Sequence, residues 1–474
     1  MLLERLGQRL DLLRGGRRTA ATRHRTLRAV VDWSHDLLTG DEARLLARLA
    51  AFPAAFTLGR VESVCSDSRI GEHAAAALLA RLVEQSLVQS AHGRFWMLET
   101  IHRYAQERLD ASGESLALRS RHAHDTADRL AALSARLWTS HEAAAVRDLT
   151  ALVADLHAAW EHARAHDRPL AVRLAADIFD FAYFRQRIDL LEWGTAVADW
   201  DIEHPCTAGA MATAAAAAWI TGRLDDARRY TRPAVIARGD ARPAVATALD
   251  VAADLAMFQN RTEEAVAAYS AAAAAFHASG NPVRGLCTEI GVAHALAYAG
   301  RLDEAEDAMG DLIARAHGTG NPTTLALAYF VIGEAATAGG DLTRAADAYA
   351  VSIEYGNEAD NRLLVTVARS ASAAVERGAG AQAHALEGFA QALDEFEALG
   401  NRSAAHRTLL RTVTLLIQLG APRAAAVLAG AVRASTDRYR CCGRTGSSWR
   451  PRSAASAPHS AMMRPPGHCG TAPG

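Results

Sequence analysis

His162 and His166 stand one helical turn apart, a spacing that can hold zinc, with His157 and Glu161 on the same stretch. Lone histidines on a wet helix face are the commoner case, so no metal is expected. Gly378-Ala379-Gly380-Ala381-Gln382-Ala383 fits a loose dinucleotide fingerprint, but it follows no strand, and no cofactor is expected from it. Cys441, Cys442, His459, His468 and Cys469 match no zinc spacing. The chain holds no Gly-x-Ser-x-Gly elbow and no His-Glu-x-x-His pair. Its long basic side chains are all arginine, without a single lysine. That excludes a phosphate-loop lysine, a Schiff-base lysine and a lysine general base. With no catalytic constellation, the expectation is a protein that is not an enzyme.

The 474 residues suffice for two or three domains, and half of them are hydrophobic. A net charge of −2 gives no global pull toward nucleic acid or acidic lipid. Cys65, Cys206 and Cys287 fall on helical stretches and read as buried thiols of a reducing compartment. No apolar run reaches about 18 residues, so no membrane span is expected. The first residues alternate Leu with Glu and Arg, unlike a signal peptide. A cytoplasmic location follows as the expectation.

The elements that position any site announce themselves by a period. Ala265, Ala305, Ala345, Ala385 and Ala425 are each 40 residues apart. The phrase Gly300-Arg301-Leu302-Asp303-Glu304-Ala305 returns as Gly340-Asp341-Leu342-Thr343-Arg344-Ala345, and Gly222-Arg223-Leu224 starts an earlier copy two residues out of step. A second beat falls between: Gly280-Asn281, Gly320-Asn321, Asp360-Asn361, Gly400-Asn401. The Gly and Asn positions read as helix stops. The Ala, Leu, Glu and Arg between them favour helix. Helices are expected over 283–299 and 302–318, repeating as pairs. Four residues after each small Ala stands Tyr269, Met309, Tyr349 or Phe389, on the same helix face. Such pairs cannot bury their apolar faces alone and must stack into a solenoid. The period resembles the tetratricopeptide (TPR) class, with slightly longer helices.

Ahead of the repeats the pattern is different. Helices are expected over 26–38, with Leu27, Val30, Val31, Leu37 and Leu38 facing a core, then over 41–52 behind a Thr39 cap, 58–65 and 72–86. Leu87 to Ser90 and Arg94 to Leu98 flank Ala91-His92-Gly93 and read as a β-hairpin, followed by a helix from Glu99. Helices closed by a hairpin make a winged helix. The fold class is therefore mainly α, a winged-helix domain followed by a TPR-like α-solenoid. The expected divisions are a linker at 1–25, the winged helix at 26–111, a helical bridge at 112–206, repeats at 207–434 and an unstructured tail at 435–474. The linker carries arginines and reads as solvated. The tail has no Leu, Ile or Val after Val432 and reads as disordered, or as the product of a shifted frame. Phe179, Phe181, Tyr183, Phe184, Trp193 and Trp200 read as core of the bridge.

Three stretches carry a resemblance: Arg25 to Leu38 (RTLRAVVDWSHDLL), Leu79 to Val88 (LARLVEQSLV) and Arg94 to Ala105 (RFWMLETIHRYA). They resemble signal-transduction ATPases with numerous domains (STAND), of the LuxR-type and AfsR-like transcriptional regulators. The resemblance implies an output domain, a nucleotide-binding ATPase, a winged helix and a TPR-like sensor, in that order. Leu10 to Gly16 looks like the last stretch of the ATPase module, and residues 1–25 like its remnant. The phosphate loop is missing, so ATP binding by this chain is not expected. Related switches offer a Met-His-Asp element to the nucleotide. Here the matching place is Met97-Leu98-Glu99, with leucine replacing the histidine, and a phosphate contact is not expected. Arg81 and Arg94, with Met97, Leu98 and Glu99, are the candidate regulatory residues of the winged helix.

The function expected is regulatory: the sensor and partner-binding half of a STAND-type transcriptional regulator. The alternative is a free-standing TPR adaptor that binds a partner without DNA or nucleotide. The first helix of each pair should line a concave face. Glu289, His294, Tyr329, Glu334 and Arg369 would then bind a protein or small-ligand effector. DNA contact is expected only through a separate or missing domain, no membrane partner is expected, and no cofactor.

Overall fold

The computed structural model describes residues 30–232 and 242–438. The expected linker at 1–25 and the tail beyond 438 lie outside these residues. A helical stretch at 30–36 leads to Thr39, which starts α1 (Gly40–Leu49). Thr39 and Glu42 form a reciprocal capping box, the Glu42 carboxylate accepting from the Thr39 N–H at 2.8 Å. Then come β1 (Phe56–Thr57), α2 (Leu58–Cys65), α3 (Glu72–Glu84), β2 (Gln89–Ala91), β3 (Arg94–Trp96) and α4 (Glu99–Ala111). His92 and Gly93 both take left-handed φ, 50° and 73°, as the tight turn of a type I′ hairpin requires. The sheet has three strands, not two. β3 is central in the order β1-β3-β2, and Phe56 pairs opposite Phe95. A two-residue strand leaves no periodic signal, so it was not legible. Leu37, expected in the core, falls after the helix end and is 62% exposed, while Val31 is buried.

The bridge follows as α5 (Ser115–Arg136), α6 (Glu142–His166), α7 (Arg168–Asp177), α8 (Phe179–Phe184) and α9 (Ile188–Val197). Next are α10 (Thr207–Ile220) and the short α11 (Leu224–Tyr230). One apolar core runs from Ala123 on α5 through Ala210 to Val251, and so passes across residue 206. At Gly194 a Cβ would come within 2.3 Å of the Ala214 backbone nitrogen, so α9 and α10 touch backbone to backbone.

The repeats are α12 (Arg242–Phe258), α13 (Thr262–Ala278), α14 (Pro282–Tyr298), α15 (Leu302–Thr319) and α16 (Pro322–Gly339). They continue as α17 (Leu342–Glu358), α18 (Arg362–Gly378), α19 (Gln382–Ala398), α20 (Arg402–Gln418) and α21 (Pro422–Arg438). Because α21 runs as far as its sister helices, the start of the segment expected to be unstructured from 435 is helical. Left-handed stops fall every 20 residues: Asn260, Gly280, Gly300, Gly320, Gly340, Asp360, Gly380, Gly400 and Gly420. After every stop but Gly320 the next N–H reaches back five residues, as Arg301 does to Leu296 at 3.0 Å, closing the helix end. The small column Ala265, Ala305, Ala345, Ala385 is fully buried, and Tyr269, Met309, Tyr349 and Phe389 are buried with it.

The asparagine beat is a start rather than a stop. Asn281, Asn321, Asn361 and Asn401 each cap the helix that follows, their side chains accepting the N–H three residues on. The last three are buried and use their amide hydrogens as well. Asn321 Nδ2 donates to the Leu137 and Thr139 carbonyls at 2.9 and 3.0 Å. Asn361 donates to Thr323 Oγ1 at 3.1 Å, and Asn401 to Gln186 Oε1 at 2.7 Å. The superhelix thus winds back, and its later repeats dock on the bridge.

Candidate functional site

Winding the repeats back on the bridge encloses a cavity of about 160 Å³. Its wall comes mainly from the first helix of each pair, in columns 40 residues apart. One column is Cys287, Leu327, Val367 and Arg407; another is Asp254, His294 and Glu334. Phe184, Trp219, Phe258, Tyr298 and Phe330 add an aromatic surface.

Early helices bring acids to this cavity. Asp250 sits 2.5 Å from Arg284, which also lies 3.3 Å from Asp180. The Arg284 guanidinium packs over the rings of Trp138, Phe184 and Phe276. Burial opposes its charge, but Asp250 and Asp180 hold its pKa above the usual range. Asp254 accepts from the hydroxyls of Tyr183, at 2.8 Å, and Tyr269. Burial first, then the neighbouring Asp250 charge, raise the Asp254 pKa to about 7. His294 faces the cavity edge-on to Phe330, and burial pushes its pKa down to about 4.

Late helices bring cations. Arg407 lies 4.2 Å over the Phe258 ring, and Arg411 reaches Ser370 Oγ at 3.4 Å. Burial lowers the Arg407 pKa. Glu334 accepts from the Tyr349 hydroxyl at 2.7 Å.

Of the five residues expected to bind a partner, His294 and Glu334 line the cavity. The other three lie elsewhere. Glu289 pairs with His277 at 2.6 Å and Arg315 at 2.8 Å. Tyr329 bonds His317 at 3.0 Å and stacks on Tyr355, and Arg369 pairs with Glu395. Each is on a first helix but turned toward the second helices. Tyr183 and Phe184, read as core from the sequence, also line the cavity. Asp250, Asp254, Arg284, Arg407 and Arg411 were not singled out from the sequence. A signal existed: Asp250 with Asp254, and Arg407 with Arg411, repeat at i, i+4 on the packed face of a first helix.

In the N-terminal module, Arg81 is tied to Glu42 at 2.5 Å, so it braces the cap of α1. Arg94 is exposed on the hairpin, Met97 packs on the module core, and Leu98 is the exposed N-cap of α4. Glu99 pairs with Arg103 at 3.5 Å on the surface. The module is locked to the bridge by buried cations. Arg60 reaches Asp125 at 3.0 Å and Asp155 at 2.9 Å, and His122 also bonds Asp155 at 2.7 Å. His162 and His166 have ring centroids 5.1 Å apart, and no three potential metal ligands gather among the described residues. No described helix is long and apolar enough to cross a membrane.

No family model matches the chain. Over 108 residues it is 44% identical to a "putative HTH-type transcriptional regulator" of Mycobacterium tuberculosis, a stretch that is 22% of this chain and 12% of that protein. Over 126 residues it is 34% identical to the uncharacterized protein Rv0894 of the same species, covering 26% of this chain and 32% of that one. Among solved structures, the STAND protein with a tetratricopeptide repeat sensor, PH0952 of Pyrococcus horikoshii, aligns over 85% of this chain and 64% of its own. The identity is 12% and the TM-score 0.45. A Rap protein complexed with competence and sporulation factor aligns over 67% of this chain and 99% of its own, at 11% identity and a TM-score of 0.46.

Proposed function

We propose that the chain is the sensing and partner-binding half of a STAND-type transcriptional regulator of the LuxR and AfsR-like kind. In this reading it acts in the cytoplasm, catalyses nothing itself, and reaches DNA only through another domain. The N-terminal module is a winged helix that passes the state of the repeats to that domain. The observation that carries the reading is mechanical. A cavity enclosed by the repeats is joined to the N-terminal module through packed helices and the buried Arg60 ion pairs. Such a connection lets occupancy of the cavity bias the module. The identity shared with the mycobacterial regulator supports a transcriptional outcome for that coupling.

The test compares transcripts in cells carrying the wild-type gene, a deletion, and Arg60→Ala. The deletion should change a bounded set of transcripts, and Arg60→Ala should reproduce that change while the repeats stay folded by circular dichroism. A deletion that leaves every transcript unchanged would discard the regulator in favour of the adaptor.

A further inference from the structure

Most buried arginines in this chain end on a carboxylate. Arg48 has Asp67 and Glu114, Arg60 has Asp125 and Asp155, Arg185 has Glu142, and Arg284 has Asp250. The late wall of the cavity breaks this habit. Arg407 stacks on the face of Phe258 and feels the Glu334 carboxylate only from beyond ion-pair distance, and Arg411 has the hydroxyl of Ser370. Arg377, on the same face of α18 as Ser370, keeps a buried Nη1 with no partner. Burial, then the Arg411 charge, depress the Arg377 pKa. Among the described residues none of the three forms an ion pair. Arg407 and Arg411 on the cavity wall, with Arg377 near Arg411 but off the lining, have no carboxylate in ion-pair contact, and half-buried guanidiniums in that state are costly unless an anion joins them.

The rest of the cavity limits what that anion is. Its volume of about 160 Å³ is that of a space which holds one benzene-sized ring. Phe258, Tyr298 and Phe330 offer ring faces and edges to such a body. Asp250 and Asp254 on the early wall disfavour a second negative group there. We propose that the cavity binds a small aromatic monocarboxylate, its carboxylate on Arg407 and Arg411 and its ring among Phe258, Tyr298 and Phe330. This deepens the sensor reading and rests on it only for the biological use of the ligand.

The full chain would be titrated calorimetrically with phenylacetate and with benzoate, against phenylacetamide, phenethylamine, acetate and inorganic phosphate. At least one aromatic acid should bind at a single site, about tenfold or more tighter than phenylacetamide, the amide control, because a charge-assisted bond is lost in the amide. Phenethylamine should give no heat. Arg407→Gln and Arg411→Gln should each weaken the acid about tenfold, and since each removes an unpaired cation, neither should lower the melting temperature of the empty protein. Arg369→Gln, outside the cavity and paired with Glu395, should bind as the wild type does. Should Arg407→Gln not fold, Arg411→Lys serves, keeping a charge while losing the two-pronged grip, with an intermediate loss. Amide and acid of equal affinity would overturn the proposal, as would phosphate or acetate matching the aromatic acids, or no binding by either acid. None of these results bears on the transcript test, so loss of the ligand and loss of the regulator remain distinguishable.

Discussion

In the N-terminal module the buried arginines cross the interior. Arg48 joins α1 to the segment after α2 and to the start of α5, and Arg60 joins α2 to α5 and α6. In the repeats two arginines stand outside as rungs between successive second helices. Arg301 reaches Glu263 at 2.6 Å, and Arg344 reaches Glu306 at 3.0 Å, each 38 residues back. The first arrangement is specific: each guanidinium bridges elements that lie far apart along the chain. The second is generic, and exposed rungs of this kind contribute little. Stability in the repeats therefore rests on the small and large columns, which any one pair shares only with its neighbours. Damage to a repeat should spread by contact, and damage to a buried charge node should disconnect whole regions.

The strongest way to break the columns is Ala305→Arg. Ala305 is fully buried between packed helices, so a guanidinium there is unpaired and overpacked, at a cost of about 5 kcal/mol. Circular dichroism should show a large fall in melting temperature. A variant that melts like the wild type would mean that the 40-residue register is misassigned.

The next effect comes from the node that joins the bridge to the repeats. Glu142, at the start of α6, accepts from Arg185 at 2.6 Å, from Asn321 at 3.1 Å, and from the N–H and hydroxyl of Thr323 at 2.9 and 2.6 Å. Glu142→Ala leaves Arg185 without its counter-charge and the Thr323 N–H without its acceptor, and should cost about 3 kcal/mol. The loss should be directional. Hydrogen exchange should quicken along α16 and α18 while α1 to α4 keep their protection. Uniform acceleration across the chain would show that the node does not separate the regions.

How much of this was legible in the sequence follows the same division. Where the chain repeats, Gly and Ala positions gave helix ends and the buried column, because each constraint recurs and the recurrences reinforce one another. Asn321 and Asn401 were seen as part of a beat, but their partners were not. Those partners, Glu142 and Gln186, lie 179 and 215 residues away and repeat nowhere. The cavity was half legible for that reason. His294 and Glu334 share a column with Asp254, and their phase was read. Arg407 occupies the column of Cys287, Leu327 and Val367, where the period itself predicts an apolar residue. Exceptions to a column carry the chemistry, and only the fold shows which of them face one another.

The pH dependence sharpens the comparison further. Asp254 has its pKa raised to about 7, chiefly by burial. A raised carboxyl contributes stability that is fully present below the ordinary carboxylate range and is lost as pH rises through about 7. His294, depressed to about 4 by burial, works the other way. Its contribution is present above the ordinary histidine value and is lost as pH falls toward 4. In the N-terminal module the acids Glu42, Asp67 and Glu114 are all lowered, by hydrogen bonds to the Thr39 N–H, to Arg48 and to Arg48 respectively. They hold their contribution throughout the neutral range. Asp254→Asn, which keeps an acceptor for one tyrosine, should compare least well with the wild type near pH 4, gain on it progressively up to about pH 7 and hold that difference to pH 8. Parallel melting curves for the two proteins across that range would mean that Asp254 does not titrate there.

The smallest shifts belong to the left-handed positions. Asp360 takes φ 50° at a stop where most sister positions hold glycine, and its side chain is exposed. An L residue pays about 1 kcal/mol for that conformation, partly offset by the extra freedom that glycine has in the unfolded chain. Asp360→Gly should therefore stabilise the repeats by about 0.5 kcal/mol. Gln186 takes a similar φ, 53°, but stands at the seam. Its amide donates to the Tyr183 carbonyl and accepts from Asn401, both at 2.7 Å, and it is buried. Gln186→Gly relieves the same strain yet leaves the buried Asn401 amide without its acceptor, a loss of about 1 to 3 kcal/mol. The same substitution, at the same backbone geometry, should thus stabilise on the periodic side and destabilise at the seam. Chemical denaturation of the two variants gives the signs directly. If both stabilise, the Asn401 contact contributes nothing to holding the late repeats on the bridge.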